Sequence, residues 1–411
     1  MIQPSLFNDT SANIGSIDWQ PTRAAGLARL AAFLPSAGLA YAHTRNTDFG
    51  PENRSNVSAL SPWLARRMIT EPEVLAAVIA AHGVGRAEKF IQEVFWRTYW
   101  KGWLEHRPNV LDAFNRDRIS LNQAMSSGLA KRLMAAQTGH TGIECFDAWA
   151  QELVTYGWLH NHARMWFASI WIFTLRLPWQ LGADFFYKNL LDADVASNTL
   201  SWRWVAGLHT KGKHYLARAR NIALHTDGRF NPEGQLNEAA EPLPEPFLQT
   251  APQALPPAQT IMADQIGLLI TQEDLHPESL PIAARVAGIA CLTMPDIGAP
   301  LSPRNQFSRG ALDDASARAQ DHFGHAVERV SSAVDIIAWA KRLGVTEIVT
   351  ATIPKGLVAW AMADAKKALA GEGIRLTQIR RPWDAKAWPL ATGGFFKLKE
   401  KLPRLLEDLV A

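Results

Sequence analysis

Hydrophobic positions change their rhythm once along the chain. Ala24, Leu27, Leu30 and Phe33-Leu34 recur at helical spacing in PTRAAGLARLAAFL, which predicts an amphipathic helix with Pro21 at its first position. YAHTRNTDFGPENRSNVSALSPWLARRMIT, rich in Asn, Ser, Gly and Pro, then interrupts the pattern as a loop. Between residues 73 and 230 helical segments follow one another without strand-like alternation, so this part is expected to be mostly α. EAAEPLPEPFLQTAPQALPPAQT is Pro-rich and aperiodic, the signature of a linker. Beyond it the short runs IGLLI, GIACLTM, VTEIVTA and IRLTQI are separated by Ala-rich helical segments such as PKGLVAWAMADAKKALAG. Strands alternating with helices imply a parallel, doubly wound sheet. The expected organisation is an N-terminal arm at 1–20, an all-helical domain at 21–238, the linker at 239–261 and a Rossmann-like α/β domain at 262–411. No internal repeat or coiled-coil heptad is present.

Composition narrows the class. With 411 residues, 47% hydrophobic and 20% charged, the chain is expected to be a soluble globular protein with room for two domains. Twelve of the 16 Trp precede residue 205, so the helical part is built on indoles. A formal charge of +3 permits a polyanionic partner without requiring one. Cys145 and Cys291 lie in apolar surroundings without a CxxC motif, which excludes a four-cysteine iron–sulfur site and suggests buried thiols. No basic and apolar leader pattern opens the sequence, so no signal peptide is expected, and the most apolar run, Met165 to Leu175, is too short to span a bilayer; a cytoplasmic protein off the membrane is expected.

Three stretches carry candidate chemistry. Asp192–Gly207, DADVASNTLSWRWVAG, packs two carboxylates, an amide and a Trp-Arg-Trp triplet together. In KFIQEVFWRTYWKGW, Glu93, Trp96, Arg97 and Trp100 share one helix face, which suits stacking and hydrogen bonding to a planar ligand; a surface Glu–Arg pair beside core aromatics is the plain alternative. In GWLHNHARMWFASIWIFTLRLPW, His160, Asn161, Arg164 and Met165 lead into a buried helix. A charge there needs a partner, so Arg164 is expected to pair with Asp192 or Asp194, in a site or simply as a structural bridge. Asn198 offers a donor and an acceptor to a heteroaromatic edge, or caps a helix. Asp192 and Asp194 lack companions at metal-ligand spacing, and no metal is expected. GLHTKGKH, residues 207–214, nearly matches a phosphate-binding loop, but His214 replaces the magnesium-binding hydroxyl and no strand precedes it. Lys211 and Lys213 are expected to touch nucleic-acid phosphates or solvent.

Taken in order, these motifs resemble the flavin domain of the DNA photolyase/cryptochrome family over roughly residues 20–236. YAHTRN and SALSP are similar to the family's early Tyr and its phosphate loop, EVFWR to E-L-x-W-R, TGIECFDA to T-G-x-x-x-[VF]-D-A, GWLHNHARM to G-W-x-H-N-x-x-R-M, and DADVASNTLSWRW to D-x-D-x-x-x-N-x-x-x-W-x-W. The resemblance implies FAD as cofactor, with Tyr41, Arg45, Ser58, Leu60 and Ser61 near its diphosphate, Arg97 at the cavity floor, and Arg164, Asp192, Asp194 and Asn198 around the isoalloxazine ring.

The same resemblance implies light-driven splitting of cyclobutane pyrimidine dimers in DNA, the lesion being flipped into the cavity. Glu93, Asn161 and Met165 match lesion contacts, with Trp96 and Trp158 as aromatic walls. A blue-light receptor of cryptochrome type, which binds FAD without repair, is the alternative. Trp202 and Trp179 match the inner members of an electron-transfer chain; the outer position falls near Ser126, which leaves Trp166, Trp171 or a Tyr as substitutes. The family carries its α/β antenna domain before the flavin domain, whereas here the α/β segment follows it. A circular permutation is therefore expected. The domain either holds a folate or deazaflavin antenna or is purely structural. A monomer acting on dimer-containing DNA, without a long signalling tail, is expected.

Overall fold

The structure is a computed structural model that describes residues 17–210, 212–244, 248 and 251–410. Most of the expected arm, Lys211 and part of the expected linker therefore lie outside the described residues. The helical part comprises α1 (Arg23–Phe33), α2 (Leu39–Thr44), α3 (Ser61–Ala65), α4 (Glu71–Arg86), α5 (Glu88–Glu105), α6 (Pro108–Gln123), α7 (Ser127–Thr138), α8 (Glu144–Tyr156), α9 (Asn161–Ser169), α10 (Trp179–Asn189), α11 (Val195–Val205) and α12 (Ala219–His225). The α/β part follows as β1 (Gln265–Ile270), β2 (Arg285–Leu292), α13 (Pro303–Phe323), β3 (Val327–Val330), α14 (Ala333–Leu343), β4 (Glu347–Ala351), α15 (Leu357–Gly371) and β5 (Arg375–Ile379). Three short helices, α16 (Pro382–Ala387), α17 (Phe395–Lys399) and α18 (Leu402–Val410), end it.

Local chemistry sets the helix boundaries. The Thr22 hydroxyl accepts from the Ala25 amide at 3.1 Å and makes Thr22 the N-cap of α1. Pro21 accordingly precedes the cap and is not the first helical residue, because the Thr22 hydroxyl satisfies one of the free amides of the first turn. Thr70 and Glu73 form a reciprocal capping box that starts α4. The apolar run after Asn161 is helical to Ser169 and passes into a π turn at Ile170–Thr174.

All strand pairings are parallel and the order is β3-β2-β1-β4-β5, a doubly wound sheet. β1 and β4 are buried nearly throughout, as strands covered on both faces must be. β3 escaped the sequence pattern because it is a four-residue edge strand with exposed Glu328 and Arg329.

One hydrophobic core joins the two parts. Phe33, Trp63, Phe90 and Phe95 of the helices pack in the same cluster as Leu268 and Ile289 of the sheet and Trp383 and Phe395 of the C-terminal segment. A second cluster, around Trp149, Trp166, Trp171, Trp179 and Trp202, belongs to the helices, and a third covers the other face of the sheet. Cys145 and Cys291 are buried free thiols, and burial pushes the Cys145 thiol up to about 12.

The seam between the parts also carries buried charge. Arg67, at a left-handed φ of 53°, pairs with Asp384 at 2.7 Å and approaches Asp274 at 3.6 Å. Asp274 in turn receives Arg381 through two hydrogen bonds of 2.6 and 2.7 Å. α5 is held along one side by this segment: Trp383 donates to Thr98 Oγ1 at 3.1 Å and Tyr99 to the Gly393 carbonyl at 3.1 Å. Gly102 permits the approach, since a Cβ there would lie 2.9 Å from the Ala391 methyl.

Two outcomes are expected. Arg67→Ala strands the buried Asp384 carboxylate and should cost roughly 3–5 kcal/mol in denaturant unfolding; an unchanged midpoint would remove the network from the list of supports. His209, enclosed by Tyr99, Trp100 and Trp103, is half-buried, and desolvation lowers its pKa to about 3. Its folded pKa lies below the unfolded value, so the unfolded chain binds the proton first and stability falls as pH drops below about 6.5, by about 1.4 kcal/mol per unit for this group. Thermal unfolding scanned from pH 7 to 5 should show this slope, and His209→Phe should reduce it by one proton's worth.

Candidate flavin cavity

The site begins at the N-terminus of α11. Asp194 accepts from the Ser197 amide at 2.7 Å and caps the helix. Its other oxygen faces Lys101 Nζ at 3.2 Å and Arg97 Nη2 at 3.4 Å, both on α5. Burial alone would raise this carboxyl, but Lys101, Arg97 and the Ser197 amide together hold it well below the ordinary carboxylate range. Arg97 also approaches the buried Glu71 at 3.7 Å. Asp192, two residues earlier, takes the bidentate fork of Arg164 at 2.9 and 3.1 Å. Of the two carboxylates expected to neutralise Arg164, Asp192 does so, and Asp194 serves α5 instead. Both acids are thus committed to cations.

These pairs tie α5, α9 and α11 around one cavity of about 510 Å³, a volume ordinary for a cofactor site. Arg45, Ser61, Glu93, Trp96, Arg97, Asn161, Arg164, Met165, Asp192, Asp194, Asn198 and Trp202 all line it. Asn198 donates to the Ala183 carbonyl at 2.8 Å, which orients its amide at the wall. Glu93 is ion-paired with Arg45. Burial raises the Glu93 pKa, and Arg45 and Lys89 only partly counter it. Trp96 is backed by Phe395 of α17, ring centroids 3.7 Å apart and 8° from parallel. Trp202 packs so tightly on α10 that a Cβ on Gly182 would lie 2.4 Å from its ring.

Five predicted residues lie outside the lining. Tyr41 is buried against Phe33 and Phe90, and Leu60 is fully buried. Ser58 faces its own loop, its carbonyl accepting from Arg29 Nε at 2.8 Å. Trp158 donates to Ser61 Oγ at 3.0 Å and lies under Arg54 at 4.5 Å and Arg164 at 5.6 Å, behind the wall rather than on it. Trp179 is buried against Phe114 at 5.4 Å and Arg203 at 5.8 Å. The GLHTKGKH segment follows α11 and not a strand, and its His209 sits in the aromatic cage described above.

Sequence reasoning missed Lys101, His162, Ser197 and Trp204. Lys101 stands four residues after Arg97, so continuing the i, i+4 series would have found it. His162 and Trp204 lie inside quoted motifs but were given no role.

The donor set fits a flavin. Among the described residues, Ser197 Oγ and Trp202 Nε1 are buried without a hydrogen-bond partner, and both residues line the cavity. Such groups call for a ligand with acceptors, which a heteroaromatic ring with carbonyl and imine groups supplies. Aromatic walls beside paired guanidinium groups complete a site for a planar, polar cofactor.

Residues 90–238 match the family described as the FAD binding domain of DNA photolyase. The protein is therefore a flavoprotein whose helical domain takes FAD. The helical part of the chain is similar to the photolyase/cryptochrome family. It is 36% identical over 153 residues to a deoxyribodipyrimidine photo-lyase of Streptomyces griseus, covering 37% of this chain and 32% of that protein. To a cryptochrome DASH of Idiomarina loihiensis it is 28% identical over 243 residues, covering 57% and 52%. A bacterial class III photolyase structure from Agrobacterium tumefaciens is similar at 28% identity and a TM-score of 0.39, over 49% of this chain and 42% of that one. The matched part thus spans between about a third and about half of the curated relatives' length. No helix among the described residues is long and apolar enough to cross a membrane.

Asp194→Ala removes the α11 cap and leaves Lys101 and Arg97 facing each other, so affinity for FAD, read by flavin fluorescence titration, should fall at least about tenfold.

Proposed function

We propose that the protein repairs DNA by light, splitting cyclobutane pyrimidine dimers. One observation carries this reading: Glu93 and Trp96 from α5 and Asn161 and Met165 from α9 come to the wall of the same cavity as the flavin-facing set. FAD, when bound in reduced form and excited by light, supplies the electron that opens the dimer. The chain's own residues do the rest. Trp96, held by Phe395, gives a flat apolar surface for a flipped pyrimidine, and Met165 fills beside it. Asn161 offers a donor and an acceptor to the base edges. The Glu93 carboxyl, whose pKa burial raises while the Arg45 pair opposes it, faces the polar edge of the lesion and can exchange a hydrogen bond with it. Flipping costs a few kcal/mol, least at a damaged pair. Asn198, Arg97 and Arg164 would orient the cofactor, with Asp192 and Asp194 holding those cations in place, and Arg45 and Ser61 would hold its diphosphate, with Tyr41, Ser58 and Leu60 shaping the loop behind them.

The second reading, a cryptochrome-type receptor, is favoured by the Arg45–Glu93 pair, which engages the lesion-contacting carboxylate. We also read the α/β part as an antenna-type domain moved to the end of the chain; its parallel, doubly wound sheet fits this reading. A protein re-permuted to place residues 262–410 before residue 17 should still bind FAD, and failure to do so would count against the permutation.

Illumination of the reduced, FAD-loaded protein with a dimer-containing oligonucleotide should restore thymines. Glu93→Ala should slow this by about tenfold, the worth of one buried hydrogen bond to a polar edge, with flavin content unchanged. Asn198→Ala should instead raise the Kd for FAD about fivefold. Full flavin reduction without restored thymines would favour the receptor.

A further inference from the structure

The outer end of the electron path is open in the sequence, since Ser126 stands where a Trp is expected and serves as the N-cap of α7. The buried indoles do not end it. Trp166 and Trp171 are fully buried and Trp179 is 1% exposed, so none meets solvent as a terminal donor must. Trp171 lies 6.1 Å from Trp202, but its other ring neighbours, Phe146, Phe167 and Phe185, are far harder to oxidise.

Another route leaves the cavity through Trp204, which lines it and is partly exposed. Its indole stacks on Tyr215, centroids 5.9 Å apart and 26° from parallel. Tyr215 borders a separate open cleft of about 660 Å³ with His162, His214, Arg218 and Arg220. The Tyr215 hydroxyl lies 3.1 Å from His162 Nε2. The other ring nitrogen of His162, Nδ1, lies 2.9 Å from the Asn46 carbonyl oxygen. A carbonyl can only accept, so Nδ1 carries the hydrogen, and in the neutral ring Nε2 holds the lone pair that accepts from the phenol. Burial keeps His162 neutral, its pKa lowered to about 4, and raises the Tyr215 phenol to about 12. The imidazole is further fixed by stacking on Trp166 at 4.0 Å, whose indole donates to Asn221 at 3.0 Å.

We propose that Tyr215 is the terminal electron donor for the flavin cavity and that His162 Nε2 takes its proton. The oxidant is the Trp204 cation radical, produced when a photoexcited, oxidised flavin removes one electron from that indole and keeps it. Tyr215 returns one electron to Trp204, restoring the neutral indole. Its phenolic proton moves along the existing hydrogen bond to Nε2, which leaves a neutral tyrosyl radical and an imidazolium. Proton transfer makes the step hard to reverse, because the radical has lost the charge that would attract the electron back. A tyrosine without such an acceptor would have to release its proton to water.

This inference rests on the cavity holding FAD, as proposed above. The test is a light flash on the oxidised, FAD-loaded protein, followed by transient absorption and electron paramagnetic resonance. The native protein should give a neutral tyrosyl radical that forms more slowly in D2O. In Tyr215→Phe a tryptophan radical should persist instead, with flavin content unchanged by absorbance. His162→Gln, which keeps polarity but is a far weaker base, should slow tyrosyl formation on the order of a hundredfold. A tyrosyl signal that survives Tyr215→Phe, only tryptophan radical in the native protein, or a rate indifferent to both His162→Gln and D2O would each overturn the assignment. Flavin that binds but is not photoreduced in any variant would overturn the light-driven reading itself, and the two failures are told apart by the flavin spectrum.

Discussion

The cavity depends on one carboxylate. Asp194 is the N-cap of α11 and the counter-charge of Lys101 and Arg97, so it fixes where α11 starts and how close α5 can come. Two buried cations on one helix face would repel each other and lose their hydration without it. With it, the same face can carry Trp96 and Trp100 beside polar groups, which is what a flat, polar cofactor needs. Arg164 and Asp192 repeat the device between α9 and the loop before α11. The cavity is therefore framed by ion pairs and surfaced by aromatics, so its outline persists while donors such as Ser197 Oγ remain unused.

The α/β part is more than an appendage to this arrangement. Its core is continuous with that of the helices, and its last helices brace the side of α5 that turns away from the cavity. Arg67, Asp274, Asp384 and Arg381 fill the region beyond the ends of β1 and β5 with charge–charge contacts. In a doubly wound sheet that region is where a ligand usually enters.

Much of this was legible in the residues because the chemistry is local. The helix-period face of Glu93, Trp96, Arg97 and Trp100, and the need of Arg164 for an acid, follow from spacing and from the cost of unpaired charge. The choice of Asp192 over Asp194 did not, because it turns on which acid caps α11, a matter of backbone direction. β3 was hidden by its exposed polar residues, and Thr22 displaced Pro21 because capping is decided by one hydroxyl. Trp158 sits in a motif that implies a wall, yet its indole N–H is drawn to Ser61 and its face to Arg54. The partnership of Phe395 with Trp96 joins positions about three hundred residues apart, and no periodicity reports that.

That stack has a consequence for specificity. A tryptophan free to change rotamer would lose conformational entropy each time a flat guest settled on it, and could adapt to many shapes. Trp96 has already lost that freedom to Phe395 during folding. Its free face is a rigid datum, so a guest that is not planar at the right height gains little there. Discrimination between a planar guest and a non-planar one can thus arise from the last domain of the chain, through a ring that never touches the guest.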